Sequence, residues 1–253
     1  MRWGEMINRN VLKSAVLVMA VGLLSACAHA PRNPLATWVE SPNYDERRPS
    51  LIVLHYTDQN SVQESLQTLR TANSKGKVSS HYLLGRDGDQ YQLVSDRDRA
   101  WHAGAGQWGT ITDLNSASIG IEIDNDGKSP FPEVQVRALL SLLEDLTQRL
   151  RIPRTAVVGH QDFAPTRKPD PGPLFPWKQL AEAGFGRWPD REDVSPPANF
   201  SPWLALRLLG YPLQDREATV RAFRNHYRGD GAAELDERDL RILYAMTRED
   251  WIP

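Results

Sequence analysis

The stretch "SLIVLHYT", residues 50–57, is an apolar run without a turn residue, and it predicts a buried β-strand. A second short run, "TAVVGH" at residues 155–160, predicts another strand. A histidine follows the apolar residues of each run, His55 after "LIVL" in the first and His160 at the end of the second. Side chains at the ends of core strands are held rigidly and border clefts, so both histidines are candidate ligands.

Helical and strand patterns alternate around these two runs. Ser61 and Glu64 form a capping-box pattern at the start of one helix, and apolar residues recur at helical spacing from Pro132 to Leu150. Ile119, Ile121 and Ile123 alternate in "SIGIEI", which predicts a strand with Glu122 on its opposite face. The remaining predicted elements are a hairpin of "VSSHYLLG" and "QYQLVS" around "RDGD", and a helix at "WKQLAEAG".

This alternation predicts an α/β fold with a mixed central β-sheet flanked by helices, over residues 42–190. A Pro- and charge-rich stretch at 191–199 is typical of a linker. Residues 200–253 contain three short helical patterns, which predict a small C-terminal three-helix domain. The composition is that of a globular protein, with 40% hydrophobic and 25% charged residues. The formal net charge is −2, and no basic stripe in the sequence argues for nucleic-acid binding.

The first 26 residues have the features of an export signal. A start containing Arg2, Arg9 and Lys13 precedes an apolar run of 13 residues, "SAVLVMAVGLLSA". That run is shorter than the ~20 apolar residues that a membrane-spanning helix needs. Cys27, the only cysteine, follows directly and cannot form a disulfide within the chain. The alternative is a plain signal peptide followed by an incidental cysteine.

The stretch "GHQDFAPTRKPDPG", residues 159–172, places titratable side chains in a loop that its prolines stiffen. Hydrolytic zinc is usually held by three protein ligands drawn from His and carboxylate residues. His55, His160 and one aspartate meet that need, but spacing alone leaves both Asp162 and Asp170 possible. In an extended segment Lys168 points to the same side as Asp170, so its ammonium group would stand near the metal.

At this point the sequence resembles the zinc-dependent N-acetylmuramoyl-L-alanine amidases, the group that includes phage lysozyme-type amidases and peptidoglycan recognition proteins. The loop just quoted resembles their signature. Four other stretches resemble further family blocks in the same order: "LHYT", "SSHYLLGRDGDQYQLV", "AWHAG" and "NSASIGIEIDN". The similarity extends over about residues 42–180, and within the family it points to the outer-membrane lipoprotein branch.

The resemblance implies a role for each matching position. His55, His160 and Asp170 match the family's zinc ligands, for one Zn²⁺ ion per chain. Glu122 matches its catalytic carboxylate and Lys168 its transition-state lysine. The implied reaction is hydrolysis of the amide bond between N-acetylmuramic acid, or its anhydro form, and L-alanine, in peptidoglycan or muropeptides.

Other residues are weaker candidates. Trp101 and His102 are expected to line the cleft and contact sugar or peptide, and Arg167 is expected to pair with a stem-peptide carboxylate, although a solvated loop arginine is an alternative. We expect His81 to be structural and His226, on a polar helix, to lie at the surface. Asp162 is expected to brace its loop as a hydrogen-bond acceptor rather than to bind metal.

The two ends of the chain carry resemblances of their own. Residues Leu24 to Cys27 resemble the bacterial lipoprotein box, which implies a signal peptide at 1–26, lipidation of Cys27 and a lipidated tether at 27–41. The resemblance implies a lipid anchor at the periplasmic face of the outer membrane. We also expect the chain to be a monomer. Residues 200–253 resemble a three-helix peptidoglycan-binding module; the alternative is a bundle that only packs on the catalytic domain. The alternative function is a non-catalytic peptidoglycan-binding lipoprotein that links membrane to wall.

Overall fold

The computed structural model describes residues 48–72 and 76–248, all of which belong to one compact unit. The predicted signal peptide, Cys27 and the tether lie outside the described residues, so these stay predictions. Among the described residues, no helix is long and apolar enough to span a bilayer.

A five-stranded sheet forms the centre of the fold. Its strands are β1 (Leu51–Tyr56), β2 (Tyr82–Leu84), β3 (Gln90–Gln92), β4 (Ser118–Ile123) and β5 (Val157–Gly159). They lie in the order β3-β2-β4-β1-β5. All neighbouring pairs are parallel except β2 and β3, which form the hairpin that the Asp-Gly pattern predicts. The mixed sheet flanked by helices is therefore confirmed.

Eight helices accompany the sheet in the described part of the chain. They are α1 (Val62–Arg70), α2 (Leu114–Ala117), α3 (Glu133–Leu150), α4 (His160–Phe163), α5 (Trp177–Glu182), α6 (Pro202–Leu209), α7 (Arg216–Tyr227) and α8 (Glu237–Ala245). The long amphipathic helix α3 packs its apolar stripe against one face of the sheet, where Ile119, Ile121 and Ile123 are buried with it. The alternation read from "SIGIEI" is thus confirmed, and it leaves Gly120 and Glu122 on the other face.

The three C-terminal helices form where their patterns predict. They share an apolar core that includes Leu206, Phe223 and Leu243. They also contact the sheet domain, since α7 packs on α4 and on α5. The extents predicted for the catalytic domain, the linker and the helical domain stay predictions.

One predicted boundary was wrong. The strand predicted through His160 ends at Gly159, and His160 is the first residue of the four-residue helix α4. The side chain of Asp162 accepts a hydrogen bond from the backbone N–H of Gly159 at 2.7 Å. This contact caps the start of the helix and turns the chain out of the sheet directly before the histidine.

Candidate metal centre and active site

The pairing of two parallel strands places the first two functional side chains together. His55 on β1 lies directly opposite Glu122 on β4. Paired residues of neighbouring strands share a face of the sheet, so both side chains stand on the face away from α3. His55 is buried, and Glu122 is largely buried but keeps some exposure to the solvent.

The loop after β5 brings the other two candidate ligands to the same place. His160 begins α4, and the backbone N–H of Gln161 donates to the carbonyl of Asp170 at 2.8 Å, which folds the loop back onto the helix. Gly159 makes this close return possible, because a Cβ there would lie 2.7 Å from Cδ of Pro171. The stiff loop therefore delivers Asp170 to the strand end that carries His55.

Three potential ligand atoms converge at this point. His55, His160 and Asp170 each offer one, and these atoms lie within 4.8 Å of one another. Nδ1 of His55 lies 2.9 Å and Nδ1 of His160 3.1 Å from Oδ2 of Asp170. Two imidazoles and one carboxylate are the donor set of many hydrolytic zinc sites, so the residues present fit a zinc ion.

The outer nitrogens of both rings have partners of their own. Nε2 of His160 lies 2.8 Å from the carbonyl oxygen of Ala103, which can only accept, and 3.2 Å from a terminal nitrogen of Arg167, which can only donate; the shorter contact favours the proton on Nε2. Nε2 of His55 lies 3.0 Å from Nδ1 of His102. Such second contacts orient metal-binding histidines and leave the inner nitrogen as the ligand atom.

Burial and short contacts shift the pKa values of three side chains in the site. Burial raises the pKa of Glu122 to about 7, although the charges of His55 and Lys168 act in the opposite direction. Burial lowers the pKa of His160 to about 4, which keeps the ring neutral as a ligand must be. Burial would raise the pKa of Asp170, but the short contacts with the rings of His160 and His55 outweigh it and hold that pKa well below its usual range.

An open cavity of about 340 Å³ lies over these groups. Its lining includes the three convergent residues, Glu122 and Lys168, so the five positions that match the family's site border one space. At its rim Trp101 and Val78 are 47% and 38% exposed. The cavity thus combines a charged floor with an apolar edge.

The structure separates the three weaker candidates. Trp101 lines the cavity and is exposed to an incoming ligand. His102 also borders it but is buried, with its ring behind His55. Arg167 lies at the cavity wall, where one terminal nitrogen donates to the carbonyls of Ala103 and Ala105 at 2.7 and 2.6 Å. The substrate contacts expected of these residues stay predictions.

Two sequence expectations concern the region behind α4. Asp162 braces its loop, as expected, but the expected surface position of His226 was wrong. His226 is only 5% exposed, and its Nδ1 lies 2.8 Å from Oδ2 of Asp162. The polar face of α7 is buried because it packs against α4, a contact between helices that helical periodicity does not reveal.

His81 is structural, as expected. It is buried, and its Nδ1 accepts from the backbone N–H of Gly120 at 3.0 Å. Sequence reasoning missed Tyr56 and Asp58, which line the cavity directly after His55. Asp58 has a left-handed backbone with φ of 51°, so the chain turns sharply there. The position of both residues just past a strand-end histidine was the available signal.

The comparisons with known proteins point to one family. Residues 45–173 match the family described as N-acetylmuramoyl-L-alanine amidase. The N-acetylmuramoyl-L-alanine amidase AmiD of Escherichia coli K12 is 40% identical over 205 residues, which cover 71% of each chain. The 1,6-anhydro-N-acetylmuramyl-L-alanine amidase AmpD of Haemophilus influenzae is 30% identical over 178 residues, or 62% of this chain and 92% of that protein.

A solved structure extends the similarity beyond the sequence match. AmiD of E. coli, in complex with the substrate anhydro-N-acetylmuramic acid-L-Ala-D-γ-Glu-L-Lys, superposes with a TM-score of 0.70 at 35% identity. The superposition covers 81% of this chain and 91% of that one. It therefore reaches past the residues that match the family.

Proposed function

This chain belongs to the N-acetylmuramoyl-L-alanine amidase family and is an enzyme of that family, and we propose that it works through one Zn²⁺ ion held by His55, His160 and Asp170. The bond cleaved is the amide between the lactyl group of N-acetylmuramic acid, or of its anhydro form, and L-alanine. The observation that carries the proposal is the convergence of these three side chains beneath an open cavity that also contains Glu122.

Zinc at this place would supply Lewis-acid activation of the scissile carbonyl and of the attacking water. The protein's own groups do the rest. The carboxylate of Glu122 accepts the proton of the attacking water and returns it to the leaving amine of L-alanine. With its pKa raised to about 7, this carboxyl group can both take up and release a proton near neutral pH.

Lys168 contributes positive charge at the same cavity. Its ammonium group stabilises the oxyanion that forms as the carbonyl carbon is attacked. Its charge also favours the ionised form of Glu122, which is the form that a base requires. The two side chains therefore support each other before and during the reaction.

The substrate class follows from the cavity and from the relatives. An exposed indole at the rim, Trp101, suits a sugar ring, and the charged floor suits an amide. AmpDh3 of Pseudomonas aeruginosa, in complex with anhydromuramic pentapeptide, superposes with a TM-score of 0.69 at 33% identity, over 86% of this chain and 97% of that one. We therefore propose muropeptides and peptidoglycan as substrates, with the sugar against the rim.

Digestion of purified muropeptides tests the proposal. The full chain should release a peptide that begins with L-alanine, together with the free muramic or anhydromuramic sugar, as read by mass spectrometry. Parallel digests of intact wall and of anhydro-fragments show which form is preferred. A chelator should abolish release, and added Zn²⁺ should restore it. Cleavage within the peptide, or chelator-resistant release, would contradict the proposal.

The control variant is Glu122→Gln, which keeps the size of the side chain and removes the base. A positioned general base contributes about 10²–10⁴ in rate, so turnover should fall by that factor. Zinc content should stay at the wild-type value, because Glu122 is not a proposed ligand. A non-catalytic wall-binding lipoprotein, the alternative, would show no turnover even in the wild-type chain.

We also propose that the mature chain is a monomer with lipid on Cys27, at the periplasmic face of the outer membrane, and that residues 200–253 bind peptidoglycan. The support is the sequence resemblance at each end. Lipid and wall contacts would raise the local substrate concentration. A Cys27→Ser variant should move from the membrane to the soluble fraction. Light scattering of the full chain in detergent would test the monomer.

A further inference from the structure

A chain of buried hydrogen bonds leads away from the candidate metal centre behind His55. Nε2 of His55 lies 3.0 Å from Nδ1 of His102, and Nε2 of His102 lies 3.3 Å from Oγ of Ser118. The hydroxyl of Ser118 donates to the carbonyl oxygen of Leu114 at 2.5 Å. His55 and His102 are at most 9% exposed, and Ser118 and Leu114 are fully buried.

We propose that His102 is a positioning residue for the metal ligand His55. We call the hydrogen-bonded series His55, His102 and Ser118 the relay, and we propose that Ser118 fixes which group donates and which accepts at each of its contacts. This inference rests on the proposed zinc site. It assigns to His102 a role toward the metal instead of the substrate contact that the sequence suggests.

The direction of the relay follows from a count of protons. The carbonyl of Leu114 can only accept, so the single hydroxyl proton of Ser118 points to it. Oγ of Ser118 can then only accept from His102, which places the proton of the neutral ring on Nε2. Nδ1 of His102 is left as an acceptor.

The same count fixes the state of the metal ligand. Because Nδ1 of His102 accepts, Nε2 of His55 must donate to it and carries the proton. Nδ1 of His55, which faces Asp170, is then the nitrogen with the free electron pair. A metal ion needs that electron pair, so the relay selects the tautomer that can bind.

Strand β4 leaves space for the ring of His102 at Gly120. A Cβ at position 120 would lie 2.4 Å from Cγ of His102, so the ring occupies space that only a glycine leaves open. The backbone that carries the ring is fixed as well, because Oδ1 of Asn115 accepts hydrogen bonds from the N–H groups of His102 and Ala103 at 3.0 and 2.8 Å. The ring is therefore held from two sides.

The relay has a counterpart at the second histidine ligand. The carbonyl of Ala103, whose N–H is held by Asn115, faces Nε2 of His160. The short segment 102–103 thus contacts the outer nitrogens of both histidine ligands. This arrangement argues that His102 belongs to the support of the metal site.

Zinc affinity, measured in the full chain by competition with a chelator, tests the proposal. Loss of an outer partner of a metal ligand typically weakens metal binding about 10–100-fold, and we expect this of His102→Leu. His102→Asn should regain most of the affinity, because its Oδ1 can accept from His55 as Nδ1 does. Wild-type zinc affinity in His102→Leu would overturn the proposal.

A matched pair of serines separates metal positioning from general stability. Ser80 and Ser118 are both fully buried, and each donates to a backbone carbonyl, Ser80 to Gly120 at 2.8 Å. Only Ser118 also contacts His102. Ser118→Ala should weaken zinc binding, whereas Ser80→Ala should lower stability and leave zinc affinity unchanged. Equal effects of the two variants on zinc affinity would refute the relay.

A spectroscopic measurement needs no variant and decides the matter even if His102→Leu fails to fold. Long-range ¹H–¹⁵N correlation spectra distinguish the two neutral imidazole tautomers. In the zinc-loaded wild-type chain we expect the proton of His102 on Nε2, and a proton on its Nδ1 would overturn the proposal. Failure of the proposed function looks different, since the wild-type chain would then bind no zinc or release no peptide.

Discussion

Two buried carboxylates lie eight positions apart after β5, Asp162 in helix α4 and Asp170 in the loop that follows it, and they serve different parts of the molecule. Asp162 is fully buried and Asp170 is 5% exposed. Each gathers nitrogen or oxygen groups around itself at hydrogen-bonding distance. What differs is which part of the fold supplies those groups and which chemical groups they are.

Asp170 faces the sheet domain's own histidines. Its Oδ2 lies 2.9 Å from Nδ1 of His55 and 3.1 Å from Nδ1 of His160. An imidazole nitrogen can offer either a proton or an electron pair, so a metal ion can replace the proton between these groups. A carboxylate among such neighbours can act as a ligand.

Asp162 faces the C-terminal helices instead. It accepts from the hydroxyl of Tyr211 at 3.1 Å and contacts Nδ1 of His226 at 2.8 Å, in addition to the backbone N–H of Gly159. The ring of His226 is also stacked on Trp177, with centroids 3.7 Å apart. Two of these three partners, a tyrosine hydroxyl and a backbone N–H, donate protons that they keep, so this carboxylate is an anchor between helices. The comparison teaches that the neighbours decide the role of an aspartate.

The largest effect that the comparison predicts is that of Asp170→Asn. Loss of the anionic ligand should empty the zinc site and remove Lewis-acid stabilisation worth several kcal/mol, or about 10³-fold in rate. Zinc stoichiometry by plasma mass spectrometry and peptide release from muropeptides measure both quantities. The matched variant Asp162→Asn should retain zinc. If it lost zinc while Asp170→Asn retained it, the two assignments would have to be exchanged.

Asp162→Asn should act on stability. Removing the charge from a buried, fully bonded carboxylate leaves its donors poorly paired, at a cost of about 3 kcal/mol in the free energy of unfolding. Urea denaturation of the full chain in the presence of zinc measures this. An unfolding free energy equal to that of the wild type would show that Asp162 does not anchor the C-terminal helices.

A smaller loss of stability is expected for His226→Phe. The phenyl ring can keep the stacking on Trp177, while Asp162 loses one donor, at a cost of about 1–2 kcal/mol. The double variant with Asp162→Asn tests the contact itself. Its loss should be smaller than the sum of the single losses, because both changes remove the same hydrogen bond. Strict additivity would argue against the contact.

The smallest effect concerns pH. Glu122 must be ionised to act as a base, so kcat/KM should fall as the pH drops through its pKa, which burial raises to about 7 and which bound Zn²⁺ would place at or below that value. The charge of Lys168 lowers this pKa, so Lys168→Gln should move the acid limb to higher pH. The pH profile of kcat/KM measures the position of the limb whatever the loss in rate. A limb that stays in place would remove Lys168 from the environment of Glu122.

Much of the fold could be predicted because its signals are local. The apolar run at 50–57, the alternation of Ile119, Ile121 and Ile123, and the amphipathic stripe of α3 each report which face of an element is buried. The positions of the proposed ligands were also visible, since two of them end or follow core strands and the third lies in a loop that prolines stiffen.

The roles of His102 and His226 could not be predicted in the same way. Each depends on a partner far along the chain: His226 on Asp162, 64 positions away, and His102 on His55, 47 positions away. Periodicity indicates which face of an element is apolar, but it carries no information about which other element covers a polar face.

The sequence by itself determined the strands, the long helices and the set of residues able to bind metal, because these depend on side-chain chemistry and on spacing along the chain. Spacing left both Asp162 and Asp170 possible as ligands, and the family resemblance favoured Asp170. Only the tertiary structure placed His102 behind a ligand and buried His226 against Asp162. The physical reason is that a carboxylate or an imidazole acquires its role from the protons and electron pairs that packing brings within about 3 Å of it.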